Sequence, residues 1–83
     1  MASAVKLPLF RGVGNEDPDK FQFMVRAVWE AQGIMDDNIK KATLVSALHD
    51  RALMWYIKHL NYHTNVRIIE LQNALNKEFS RPK

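Results

Sequence analysis

The apolar residues of this chain recur at helical spacing in several separate segments. In the first segment, Asp17 and Pro18 are typical of a helix N-cap followed by the first helical position. Gly33 is a typical residue just beyond a helix end, so the pattern predicts a helix between these signals. The apolar stripe of this helix consists of Phe21, Met24, Val25, Val28 and Trp29.

Three further helices are predicted after short connections. Asp36 or Asp37 is expected to cap the second helix, which has a thinner apolar stripe. Asp50 is expected to cap the third, which runs to about Leu60, and Thr64 to cap the fourth. The stripe of the fourth helix is Ile68, Leu71, Leu75 and Phe79. The pattern therefore predicts an all-α fold, a small bundle of about four helices.

The third predicted helix is apolar all the way round over residues 52–57. Either it lies at the centre of the domain, or one of its faces is covered by a partner, and the sequence leaves both readings open. The core candidates in and before this helix are Leu48, Ala52, Trp55 and Tyr56. The candidates for a partner-facing side are Leu53, Met54 and Ile57.

Residues 1–16 lack helical periodicity and precede the helical lobe, which spans residues 17–82 as a single domain. This pattern predicts an extended N-terminal arm that resembles an edge strand. The candidate interaction residues of the arm are Leu7, Leu9 and Phe10. Because large apolar groups on a free tail would be unfavourable in water, we expect at least Phe10 to pack onto the bundle.

The charges divide unevenly along the chain, which carries a net +3 in total. Residues 1–37 hold four basic and six acidic side chains, a net −2, whereas residues 38–83 hold eight basic and three acidic, a net +5. A chain with an acidic and a basic half can associate with copies of itself. Direct nucleic-acid binding by the basic half is a weaker alternative, because this charge is modest. The absence of cysteine and of any apolar run long enough for a membrane span favours a cytoplasmic protein.

No combination of residues indicates catalysis, a metal site or a cofactor. His59 and His63 have metal-ligand spacing, but His63 falls where the helix should end and no third ligand is near in sequence. The acidic pairs at residues 16–17 and 36–37 each precede a helix, so capping explains them. The segment Gly-Val-Gly at residues 12–14 lacks the rest of a phosphate-binding loop. We therefore expect a protein that is not an enzyme.

Taken in order, these segments resemble the capsid region of gypsy-type long-terminal-repeat retrotransposon Gag proteins and of cellular proteins domesticated from them. The arm motif, apolar-Pro-x-Phe-x-Gly, matches Leu-Pro-Leu-Phe-Arg-Gly at residues 7–12. An acidic-Pro helix start at residues 17–18 follows, and then Gly-Ile-Met-Asp-Asp at residues 33–37. The family's later core positions match Leu48, Ala52, Trp55, Tyr56, Leu71, Leu75, Phe79 and Pro82. Two positions depart from the pattern, since Asp50 replaces a glycine and Ile68 a tryptophan.

The resemblance covers residues 6–82 and implies the N-terminal helical lobe of a capsid. It implies a structural module whose partner is itself, in a shell that packages RNA through other Gag regions. If the chain resembles a domesticated lobe of this family, the resemblance implies a different role, which is to bind extended apolar peptides in a groove near the arm. Self-assembly is the leading hypothesis and peptide docking the alternative.

Overall fold

Four helices follow one another in the part of the chain that the structure describes. This computed structural model describes residues 6–80, so residues 1–5 of the predicted arm and 81–83 at the predicted end of the lobe lie outside it. The helices are α1 (Pro18–Ala31), α2 (Asp37–Ser46), α3 (Asp50–Tyr62) and α4 (Ile68–Phe79). Between residues 6 and 80 there is no strand, only one parallel bridge between Phe10 and Leu48. The prediction of an all-α bundle is confirmed.

The first two helices begin as their sequence signals predict. The Asp17 carboxylate accepts a hydrogen bond from the Asp19 N–H at 2.9 Å, and Pro18 opens α1. Gly33, with φ of +66°, lies just past the end of α1. Asp36 caps α2 by accepting from the Asn38 N–H at 2.7 Å. Side-chain oxygens therefore satisfy N–H groups that have no partner within the first turn of each helix.

The predicted caps of the last two helices are wrong. Asp50 is the first helical residue of α3, with φ of +50°, and His49 occupies the N-cap position. Because the connection from α2 is so short, the chain turns through this left-handed conformation instead of through a capped loop. Thr64 lies well before α4, which begins after Arg67, whose N–H donates to the Glu70 carboxylate at 3.0 Å.

The core is centred on α4, which packs against both α1 and α2. Leu71 and Leu75 of this helix are completely buried. On α3 only Ala52 and Tyr56 are buried, so this helix does not lie at the centre of the domain. The buried cluster consists of Phe10, Phe21, Val25, Trp29, Leu44, Ala47, Leu48, Ala52, Tyr56, Val66, Ile68, Leu71 and Leu75. Val28, also a predicted core residue, is buried as well.

Met24 was expected in the core, but 42% of it is exposed. The buried face of α1 is rotated away from Met24 and towards Gln22, which is buried. The Gln22 side-chain amide donates to the Gln72 carbonyl and to the Asn76 side-chain oxygen, each at 2.8 Å. These two bonds to α4 explain how a polar residue occupies the place that the periodicity gave to Met24.

Trp55 and Phe79 are only partly buried, although both were predicted in the core. They pack against the buried cluster from outside. Their rings meet edge to face, with centroids 5.7 Å apart. Both rings line a surface groove, which explains their exposure.

Candidate protein-interaction site

The N-terminal arm is hydrogen-bonded to the connection between α2 and α3. The Phe10 N–H donates to the Ala47 carbonyl, and the His49 N–H donates to the Phe10 carbonyl, both at 2.9 Å. One step further along, the Ala52 N–H donates to the Arg11 carbonyl at 2.9 Å. The arm therefore docks on its own bundle through paired backbone groups, as an edge strand would.

The Phe10 side chain fixes the arm from within the core. Only 1% of it is exposed. Its ring stacks on Phe21 of α1 at a centroid distance of 4.9 Å and meets Phe79 of α4 edge to face at 5.3 Å. Phe10 thus packs onto the bundle as expected, and its side chain is not available to a partner in this state. Of the other arm candidates, Leu7 is half-buried and Leu9 is exposed.

The turn after the arm is closed by Glu16. One oxygen of its carboxylate accepts from the N–H groups of Arg11, Gly12 and Val13, at 3.0, 2.7 and 3.2 Å. The sequence predicts that Glu16 and Asp17 both serve helix capping, but only Asp17 has that role. Three backbone donors converging on one carboxylate oxygen hold this turn in a defined shape.

Gly12 has no room for a side chain. Its φ is +76°, and a Cβ atom there would lie 2.6 Å from Cε1 of Phe79 and 3.1 Å from the Ala52 nitrogen. Such close approach of backbone to a ring and to a helix start requires glycine. The turn therefore lies directly against the start of α3 and the end of α4.

A groove runs between this turn, α3 and the end of α4, and we call it the arm groove. Its volume is about 440 Å³. Its lining includes Phe10, Gly12, Val13, Gly14, Glu16, Arg51, Met54, Trp55, Lys58, Glu78 and Phe79. The α3 members recur at intervals of three and four residues, so they form one stripe of that helix. The groove combines an aromatic floor with basic and acidic groups at its margin, which suits an extended chain with apolar side chains.

The three partner-facing candidates on α3 differ in burial and in whether they line the arm groove. Met54 lines the arm groove, whereas Leu53 is half-buried against the core. Ile57 is exposed but does not line the groove. The structure therefore places Met54, of these three, in the groove beside the arm.

A second hollow of about 420 Å³ lies on the other side of the arm, against α1. Leu9, Lys20 and Met24 are among the residues that line it. Within residues 6–80 the Leu9 N–H has no backbone partner. An open donor beside exposed apolar groups is the arrangement by which a strand edge pairs with another strand.

The histidines of α3 continue a row of stacked rings. His59 stacks on Trp55 with centroids 5.0 Å apart, and His63 stacks on His59 at 4.2 Å. Burial of His59, and then the charge of His63, lower the pKa of His59 below its usual value. Between residues 6 and 80, no three metal-ligating side chains come together.

Two exposed apolar residues, Met35 and Ile69, are not among the interaction candidates that the sequence predicts. Met35 lies in the connection between α1 and α2, and Ile69 lies in the first turn of α4. Ile69 lies beside the apolar stripe of its helix and does not belong to it. Its position in the sequence therefore indicated that it would be exposed. Nothing in the sequence marked Met35, because a single apolar residue in a turn has no period.

No family model, curated protein or solved structure matches this chain. Among the helices of the described residues, none has the length and apolar character needed to cross a bilayer.

Proposed function

We propose that this chain is a structural self-assembly module, the N-terminal lobe of a retrotransposon-type Gag capsid, and that it is not an enzyme. Its partner is another copy of itself, and RNA is enclosed through other regions of Gag. The proposed setting is the cytoplasm, which suits a chain without cysteine. The sequence resemblance and the docked arm support this proposal.

The observation that carries the proposal is the placement of exposed apolar side chains on separate faces. Met54 and Val13 lie beside the arm groove, and Met35 and Ile69 lie at the other end of α1. Phe23, which is 64% exposed, lies on α1 between them. A shell subunit needs contacts on more than one face, whereas a domain with one ligand needs a single patch.

Sedimentation velocity from low micromolar to low millimolar concentration tests this proposal. We expect the weight-average sedimentation coefficient of nuclease-treated protein to rise with concentration, because each contact is small and weak. The rise should not require RNA. A coefficient that stays at the monomer value over the whole range would contradict self-assembly.

The arm groove favours a second function, the docking of an extended apolar peptide. The probe is a set of short peptides with alternating apolar and polar residues, titrated calorimetrically. Met54→Lys should weaken binding, because it places a charge in the groove. Met35→Lys is the matched control, since it makes the same change at an exposed methionine outside the groove. Equal binding by both variants would place the peptide elsewhere and remove this function.

A further inference from the structure

A second apolar surface lies where the end of α1, the following turn and the start of α4 meet, and we call it the turn surface. Met35 projects from it with 85% of its area exposed, and Ile69 is 63% exposed. Both residues line a hollow of about 630 Å³, whose wall includes Trp29 and Ile34. A projecting apolar side chain therefore stands next to an apolar hollow.

Charges of both signs surround this hollow in equal number. Arg26 and Lys40 are the basic residues of the lining, and Glu30 and Asp37 are the acidic ones. Within residues 6–80 the only ion pair joins two residues outside this surface, so none of these four is paired with an opposite charge. The Lys40 ammonium lies over the Trp29 ring, 5.5 Å from its centroid.

The equal number of basic and acidic groups around the hollow favours one class of partner over others. A nucleic acid or a strongly charged peptide would be matched by a rim of one sign. The two basic and two acidic groups sum to zero charge, so a second copy of the same surface can approach without net repulsion and bring the two apolar centres together. In that arrangement the two Met35 side chains can meet at the two-fold axis, each at the edge of its own hollow.

We propose that the turn surface is a two-fold contact between copies of this chain. The proposal rests on the proposed function and names one interface of the assembly. The surface is small, so the contact is weak in isolation and acts together with contacts on other faces.

Cross-linking through introduced cysteine tests the symmetry, because the chain has no cysteine of its own. In a two-fold contact a residue near the axis meets its own copy, so Met35→Cys should form disulfide-linked dimers under mild oxidation. Tyr62→Cys is the matched control, since Tyr62 is also highly exposed but lies at the end of α3. Met35→Cys should dimerise at least about tenfold faster than the control, and equal rates would overturn the proposal.

Two charge reversals on α1 test the complementarity. Arg26→Glu leaves one basic and three acidic groups around the hollow, and Glu30→Lys leaves three basic and one acidic. Each variant alone should self-associate roughly tenfold more weakly than the unmodified chain, whereas their mixture should associate. Both residues are exposed, so the fold should persist.

The results separate this proposal from the proposed function. If the unmodified chain self-associates and neither the reversals nor Met35→Asp alter its sedimentation, the turn surface is not the contact, and self-assembly stands. If the unmodified chain remains monomeric at every concentration, self-assembly falls, and this interface falls with it.

Discussion

Replacing Phe10 by alanine tests whether the arm is an integral part of the fold. The ring is almost completely buried between Phe21 and Phe79. Removing a buried phenylalanine costs about 3–5 kcal/mol, which includes the loss of two aromatic contacts of roughly 0.5–1.5 kcal/mol each. A chain of this length has a total stability of about 4–12 kcal/mol, so Phe10→Ala should remove a large part of it.

Urea unfolding followed by tryptophan fluorescence measures this loss. Phe23→Ala is the matched control, because it makes the same change on the exposed face of α1 and should alter the free energy of unfolding by no more than about 0.5 kcal/mol. If Phe10→Ala does not fold, Phe10→Leu keeps most of the volume and should cost roughly 1–2 kcal/mol. A Phe10→Ala variant as stable as Phe23→Ala would show that the arm is not docked in solution.

Three further variants test the turn, the start of α3 and the histidine stack by the same unfolding measurement. Gly12→Ala should lower stability by about 1–3 kcal/mol more than Gly14→Ala, because both sites have positive φ but only Gly12 lies against Phe79. Equal losses would show that the close approach is relieved at no cost. Asp50→Gly should be more stable than Asp50→Ala by about 1 kcal/mol, since alanine is strained at φ of +50°. The reverse order would contradict the left-handed conformation. Because the pKa of His59 is lowered in the folded state, stability should be full above the ordinary histidine pKa and should fall as the pH drops below it. His59→Phe should flatten this dependence between pH values of about 7.5 and 5.5, and an unchanged slope would assign it to other groups.

The parts of the fold that depend on local sequence were predictable. The start of α1 follows from Asp17 and Pro18, because a cap and a proline act on the first turn alone. The core stripe of α4 follows from its spacing, and its buried members Leu71 and Leu75 are as predicted. The docking of Phe10 followed from the cost of leaving a large apolar ring in water.

The features that depend on distant contacts were not predictable. Gln22 displaces Met24 from the core because two groups on α4 accept its hydrogen bonds, and those groups lie about fifty residues away along the chain. Glu16 closes the turn of the arm because three N–H groups converge on it, although its neighbour Asp17 caps a helix. Met35 belongs to a surface that exists only when α1 and α4 are packed together. In each case the partner, and not the residue type, determines the role.

Asp50 connects the sequence resemblance to the geometry of the arm. It stands where the Gag pattern has glycine, and its φ of +50° is a conformation that glycine adopts freely and aspartate tolerates better than most residues. This left-handed turn lies between the His49 and Ala52 N–H groups, which donate to the carbonyls of Phe10 and Arg11. Both hydrogen bonds form with aspartate at this position, so glycine is not required for them. The departure from the pattern at Asp50 therefore leaves the docking of the arm intact, and the proposal of a capsid lobe is not weakened at this position.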